Sequence, residues 1–123
     1  MADGDDNTYD DSSATATDTN STIPDTDVDG LAAKRHGDYF MDVNEPQRAL
    51  EYYQEALNKG DLDATDTEKV YYNMASAYYR LGDQQNCYNA SYYAAKSQDP
   101  QVAGYALKFF FWSVTGEKVV GTD

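Results

Sequence analysis

The stretch TEKVYYNMASAYYRL, residues 67–81, decides the fold class of this chain. Its apolar residues Val70, Met74 and Ala77 recur every three or four positions, which is the spacing of one face of an α-helix. Gly82 follows directly, and glycine is the residue that most often ends a helix in the left-handed conformation. The stretch therefore predicts an amphipathic helix over its whole length.

The same period predicts four more helices, two before this one and two after it. They cover residues 31–42, residues 46–58, residues 84–97, and a last helix that starts at Asp99-Pro100 and ends at Gly116. Pro46 and Pro100 suit the first helical position, and Gly60 suits a left-handed cap after the second helix. Between that cap and the third helix we expect an acidic connector, with Asp66 or Thr67 as the N-cap. Helices joined by such short turns form antiparallel hairpins, so the predicted fold class is all-α.

Charge divides the chain into an acidic head and a nearly neutral body. The 123 residues carry 22 acidic and 9 basic side chains, a net charge of -13. Nine of the acids lie in residues 1–30, which have no basic residue, so 13 acids and 9 bases remain and the rest of the chain carries -4. We therefore expect an acidic low-complexity tail over residues 1–30, a helical domain over residues 31–116 and a short tail over residues 117–123.

A repeat relates the helices to one another. A forward shift of 34 residues superposes Tyr71 on Tyr105 and Tyr78 on Trp112, and a backward shift of 38 superposes Ala75 on Gly37 and Tyr78 on Phe40. Small residues allow two helices to approach closely, and aromatic residues fill the space beside the contact. A sequence with this rhythm predicts stacked hairpins, each of which needs a neighbour.

The rhythm resembles the tetratricopeptide repeat (TPR) family. The residues that carry the resemblance are Gly37, Phe40, Ala49, Tyr53 and Ala56 in the first repeat and Ala75, Tyr78 and Ala94 in the second, with about two and a half repeats in all. The resemblance implies a right-handed solenoid of about five helices that acts as a scaffold for protein contacts. In some TPR proteins Lys and Asn clamp the carboxylate end of a partner peptide, and Lys34 and Asn73 stand at two such positions. Asp38 replaces a third and would repel a carboxylate, and Lys108 is a weak match to the fourth.

Two protein-binding hypotheses follow. In the first, the chain is a self-assembling structural subunit, a homo-oligomer or a head-to-tail filament. Its last helix is apolar on nearly all sides and needs cover, so we expect self-association through Tyr105, Phe109, Phe110, Phe111 and Trp112, with the acidic tail crossing to a neighbour. In the second, the chain is a co-chaperone-like adaptor that binds a peptide through Lys34 and Asn73.

The sequence DTDVDG, residues 25–30, opens like a calcium loop, in which Asp25, Asp27 and Asp29 would converge on the ion. The twelfth position is His36 rather than a bidentate Glu, so the alternative is a solvated linker whose last Asp caps the first helix. Calcium is the only cofactor that the sequence suggests.

Other functions are excluded or unsupported. A strongly acidic chain does not bind nucleic acid by neutralising phosphates, and the longest apolar run is too short to cross a membrane. Cys87 stands at a small buried position, and no histidine lies near it in sequence, so we expect no enzyme activity. We see no signal peptide, which predicts a cytoplasmic protein, or an extracellular one if the chain is a processed form.

Overall fold

The computed structural model describes residues 29–117, which form five α-helices joined by short turns. In chain order the helices are α1 (Gly30–Asp42), α2 (Pro46–Lys59), α3 (Ala64–Leu81), α4 (Gln84–Ala95) and α5 (Pro100–Thr115). No strand occurs in this part of the chain. The prediction of an all-α fold is therefore confirmed for the described residues. Most of the predicted acidic tail lies outside them.

Capping residues explain most helix ends. Gly60 and Gly82 adopt left-handed φ angles of 72° and 76° after α2 and α3, as predicted. The start of α3 differs from the prediction, because Asp63 rather than Asp66 or Thr67 is the N-cap. Its carboxylate accepts a hydrogen bond from the backbone N–H of Asp66 at 2.7 Å. The helix therefore begins at Ala64, inside the predicted acidic connector.

Each helix packs on the next in the chain, and α3 also contacts both α1 and α5. Among the described residues, α2 and α4 do not approach each other. The odd-numbered helices therefore contact one another in succession, and α3 is the central helix.

The hairpin of α1 and α2 is held by the contact of a small residue with an aromatic one. Tyr53 is fully buried, and its ring lies directly against Gly37. A Cβ atom at Gly37 would lie 2.6 Å from Cε1 of Tyr53, so no other residue fits there without a shift of the ring. This contact gives a physical reason for a small residue at position 37 and an aromatic residue at position 53.

Helix α5 does not follow the predicted register. Its buried residues Val102, Ala106 and Phe109 each lie 32 residues after a buried residue of α3 (Val70, Met74 and Ala77), whereas we predicted a shift of 34. Ala75 of α3 is also buried, where α4 covers it, but the corresponding Leu107 of α5 is 53% exposed. Helix α5 therefore exposes the face that its counterpart α3 uses to bind the following helix.

Candidate functional site

Asp38 is the centre of a polar cluster between α1, α2 and α3. Its carboxylate accepts a hydrogen bond from Tyr53 Oη at 2.5 Å and another from Asn73 Nδ2 at 3.1 Å. It also forms an ion pair of 2.9 Å with Lys34 Nζ. Burial raises the pKa of Tyr53 well above its ordinary value of 10.0, and the hydrogen bond to Asp38 raises it further.

The structure thus brings the two predicted peptide-binding residues, Lys34 and Asn73, to one place. Both bind a carboxylate, but this carboxylate belongs to Asp38 of the same chain. We expected Asp38 to repel an incoming carboxylate. In the structure it also satisfies the polar groups that such a ligand would use, because Lys34 and Asn73 already have a charged partner.

The aromatic residues of α5 point in two directions. Tyr105 stacks on Tyr72 of α3 at a centroid distance of 5.8 Å, and Trp112 packs edge-on against Tyr79 at 4.9 Å. Phe109 is 7% exposed and belongs to the core. Three of the five predicted self-association residues (Tyr105, Phe109 and Trp112) therefore pack on α3. Only Phe110 and Phe111 lie on the outer side.

The outer side of α4 and α5 carries an apolar surface that we call the α4–α5 face. It consists of Tyr88, Tyr92, Leu107, Phe110, Phe111 and Val114. Phe110 connects the two helices, because its ring lies 5.4 Å from that of Tyr88 and 6.2 Å from that of Tyr92. Leu107, Phe111 and Val114 lie on one stripe of α5. Their side chains are 53%, 42% and 54% exposed.

The position of the α4–α5 face corresponds to a helix–helix contact elsewhere in the chain. In α3 the equivalent positions Ala75 and Tyr79 are covered by α4 and α5, whereas in α5 no described helix covers Leu107 and Phe111. Monomeric proteins rarely expose large contiguous apolar patches, and those that occur often mark interaction sites.

Of the three predicted calcium ligands, only Asp29 lies within the described residues. Its carboxylate Oδ1 accepts a hydrogen bond from the backbone N–H of Ala32 at 2.8 Å, so Asp29 caps α1 as the alternative prediction required. Asp25 and Asp27 lie outside the described residues. No cluster of three or more metal-ligating side chains occurs within residues 29–117. Calcium binding stays a prediction.

Cys87 has the properties of a packing residue. It is fully buried, and its thiol lies within hydrogen-bond distance of the carbonyl oxygens of Ala75 and Phe109. Burial raises the pKa of this thiol to about 12, so the reactive thiolate is disfavoured at neutral pH. His36 lies on α1, and its ring stacks on that of Tyr52 of α2 at a centroid distance of 5.2 Å.

Comparison with known proteins gave no match to a family model, a curated protein or a solved structure. The resemblance to TPR proteins therefore stays a prediction based on the residues. Within the described part of the chain, every helix is too short or too polar to cross a bilayer.

Sequence reasoning missed four of the six residues of the α4–α5 face, namely Tyr88, Tyr92, Leu107 and Val114. The run of consecutive aromatic residues at positions 109–112 predicted Phe109 and Trp112, which pack on α3 instead. Leu107, Phe111 and Val114 follow one another at intervals of four and three, but so do the buried residues Val102, Ala106 and Phe109. Spacing alone therefore did not identify the outward stripe. Tyr53 as a partner of Asp38 was also missed, and no local sequence pattern relates residues on different helices.

Proposed function

We propose that this protein is a non-enzymatic structural subunit that binds a second copy of itself through the α4–α5 face. The observation that supports the proposal is the exposed stripe of Leu107, Phe111 and Val114 on a helix that packs on α3 and α4 through other residues. Burying large apolar side chains from water releases about 25 cal/mol for each Å². Covering this stripe with a partner is therefore favourable in free energy.

The distribution of charge favours this surface for contact between identical copies. Helices α1, α2 and α3 each contain two acidic and two basic residues, whereas α4 contains no charged residue and α5 contains only Lys108. Removing a charged group from water is costly. A contact between two copies through α4 and α5 therefore buries fewer charged side chains than a contact through the other helices.

The proposed fold is a short right-handed solenoid of the TPR type. Two contacts between the odd-numbered helices support it, since Asn73 of α3 binds Asp38 of α1 and Tyr72 of α3 stacks on Tyr105 of α5. The adaptor function, in which a peptide binds across the odd-numbered helices, has weaker support. The residues expected to bind the peptide are engaged by Asp38.

The proposal is tested by sedimentation equilibrium of the wild type and of Phe111→Asp. We expect the wild type to associate as its concentration rises and Phe111→Asp to remain at the monomer mass of 13.7 kDa. Leu81→Asp is a matched control, because Leu81 on α3 is 44% exposed and Phe111 is 42% exposed. The control should associate like the wild type. A wild type that stays monomeric at the highest attainable concentration would contradict the proposal.

A further inference from the structure

The exposed stripe of α5 has the spacing of a helix-pairing seam. Gly104, Leu107, Phe111 and Val114 follow one another at intervals of three, four and three residues, which is the a/d pattern of two helices that pack along their length. Gly104 is exposed like the other three, and the seam contains no charged residue. It is long enough for three turns of one helix to lie against another.

We infer that α5 pairs in antiparallel orientation with α5 of a second copy, across a two-fold axis that passes the exposed side of the helix at the level of residue 109. This inference rests on the proposed self-association and specifies its geometry. The seam runs from residue 104 to residue 114, and its midpoint is residue 109. An axis there places Leu107 of each copy opposite Phe111 of the other, and Gly104 of each opposite Val114 of the other.

This register matches the seam with itself over its full length. In antiparallel pairs an a residue faces a d residue of the partner, and the register centred on residue 109 satisfies this rule in all four layers. Tyr88 and Tyr92 of α4 flank the pair on each copy, because the ring of Phe110 connects them to α5. A two-fold contact uses the same surface on both copies and closes as a dimer, whereas a head-to-tail contact continues as a filament.

Gly104 is an independent sign of close approach by another helix. Glycine in the middle of an exposed helix weakens that helix relative to alanine. Within residues 29–117 nothing explains this cost at Gly104, since a Cβ atom there would have no neighbour within 4 Å and its φ angle is not positive. In the inferred pair, Val114 of the second copy lies over the uncovered backbone at Gly104. The glycine therefore allows close contact at each end of the seam.

The inference is tested by complementation between charged variants, measured by sedimentation equilibrium. In Leu107→Lys alone, or Phe111→Glu alone, each homodimer would bury two unpaired charges, so we expect dimerisation to weaken by about tenfold or more. In an equimolar mixture, one layer pairs the introduced lysine of one copy with the introduced glutamate of the other, and the symmetric layer stays apolar. We expect the mixture to regain the dimer mass.

The control mixture is Leu107→Lys with Leu107→Glu. Residue 107 does not face residue 107 in the antiparallel register, so this mixture should stay monomeric. Recovery of the dimer here would overturn the inference in favour of a parallel pair. A dimeric wild type without recovery in the first mixture would also overturn it, and so would loss of association in Tyr39→Asp, which alters the opposite end of the array. A monomeric wild type would contradict the proposed function instead.

Discussion

Two glycines of this chain should respond in opposite directions to the same substitution. Gly37 of α1 and Gly104 of α5 both lie inside helices, and replacing a helical glycine by alanine stabilises the helix itself by about 1 kcal/mol. At Gly104 the added methyl group meets no atom of the described part of the chain within 4 Å. We therefore expect Gly104→Ala to raise the free energy of unfolding of the monomer by about 1 kcal/mol.

At Gly37 the same methyl group collides with a side chain that has little freedom to move. It would lie 2.6 to 2.9 Å from three ring atoms of Tyr53, which is fully buried and bound through its hydroxyl to Asp38. Overpacking of a core costs about 1 to 3 kcal/mol. We place Gly37→Ala near the upper value because the ring is fixed at both ends. After the gain in helix propensity, the net loss is about 2 kcal/mol.

The assay is urea unfolding followed by far-UV circular dichroism, with both substitutions made in the Phe111→Glu background so that association does not contribute. The two variants should differ by about 3 kcal/mol, with the parent between them. A shift of Gly104→Ala in the same direction as Gly37→Ala, or no loss in Gly37→Ala, would refute the reasoning. The first result would mean that α5 is covered within one chain, and the second that Tyr53 moves freely.

Three further predictions concern the same helical body. Asp38→Ala should destabilise the monomer by about 2 to 3 kcal/mol in urea unfolding, because it leaves the buried Tyr53 hydroxyl without its acceptor; a loss no larger than that of Tyr53→Phe would argue against the polar cluster. Asp29→Ala should cost about 1 kcal/mol through loss of the α1 cap, and Asp29→Ser should recover most of it. The raised pKa of Cys87, about 12 when folded against 9.0 when unfolded, makes stability fall as pH rises from 9 to 12; the fall should be shallower in Cys87→Ala, and equal slopes would contradict this prediction.

Much of the helical framework could be predicted because its signals are local. Turn and cap residues fixed the start of α2 at Pro46 and of α5 at Pro100, and Gly82 fixed the end of α3. The error at the start of α3 arose because four candidate caps lie close together in one acidic connector. Only the structure shows that the carboxylate of Asp63 reaches the backbone N–H of Asp66.

The candidate site was less predictable because it depends on which helices meet. The resemblance to TPR proteins predicted Lys34 and Asn73 as residues of one peptide site, but it did not show that Asp38 binds both. It likewise identified α5 as a helix in need of cover, without identifying the side that lacks it. Two of the five residues predicted for that side, Phe110 and Phe111, lie on the α4–α5 face.

The sequence by itself determined five helices and a division of charge between an acidic head and a nearly neutral body. The helices and the charge division both follow from residue type and spacing, which do not depend on contacts between distant residues. The tertiary structure alone decided the rotation of α5 about its axis. On an amphipathic helix the polar side marks the outside, but a helix that is apolar all round carries no such mark. The side of α5 that faces outward depends on how the helix packs on α3 and α4.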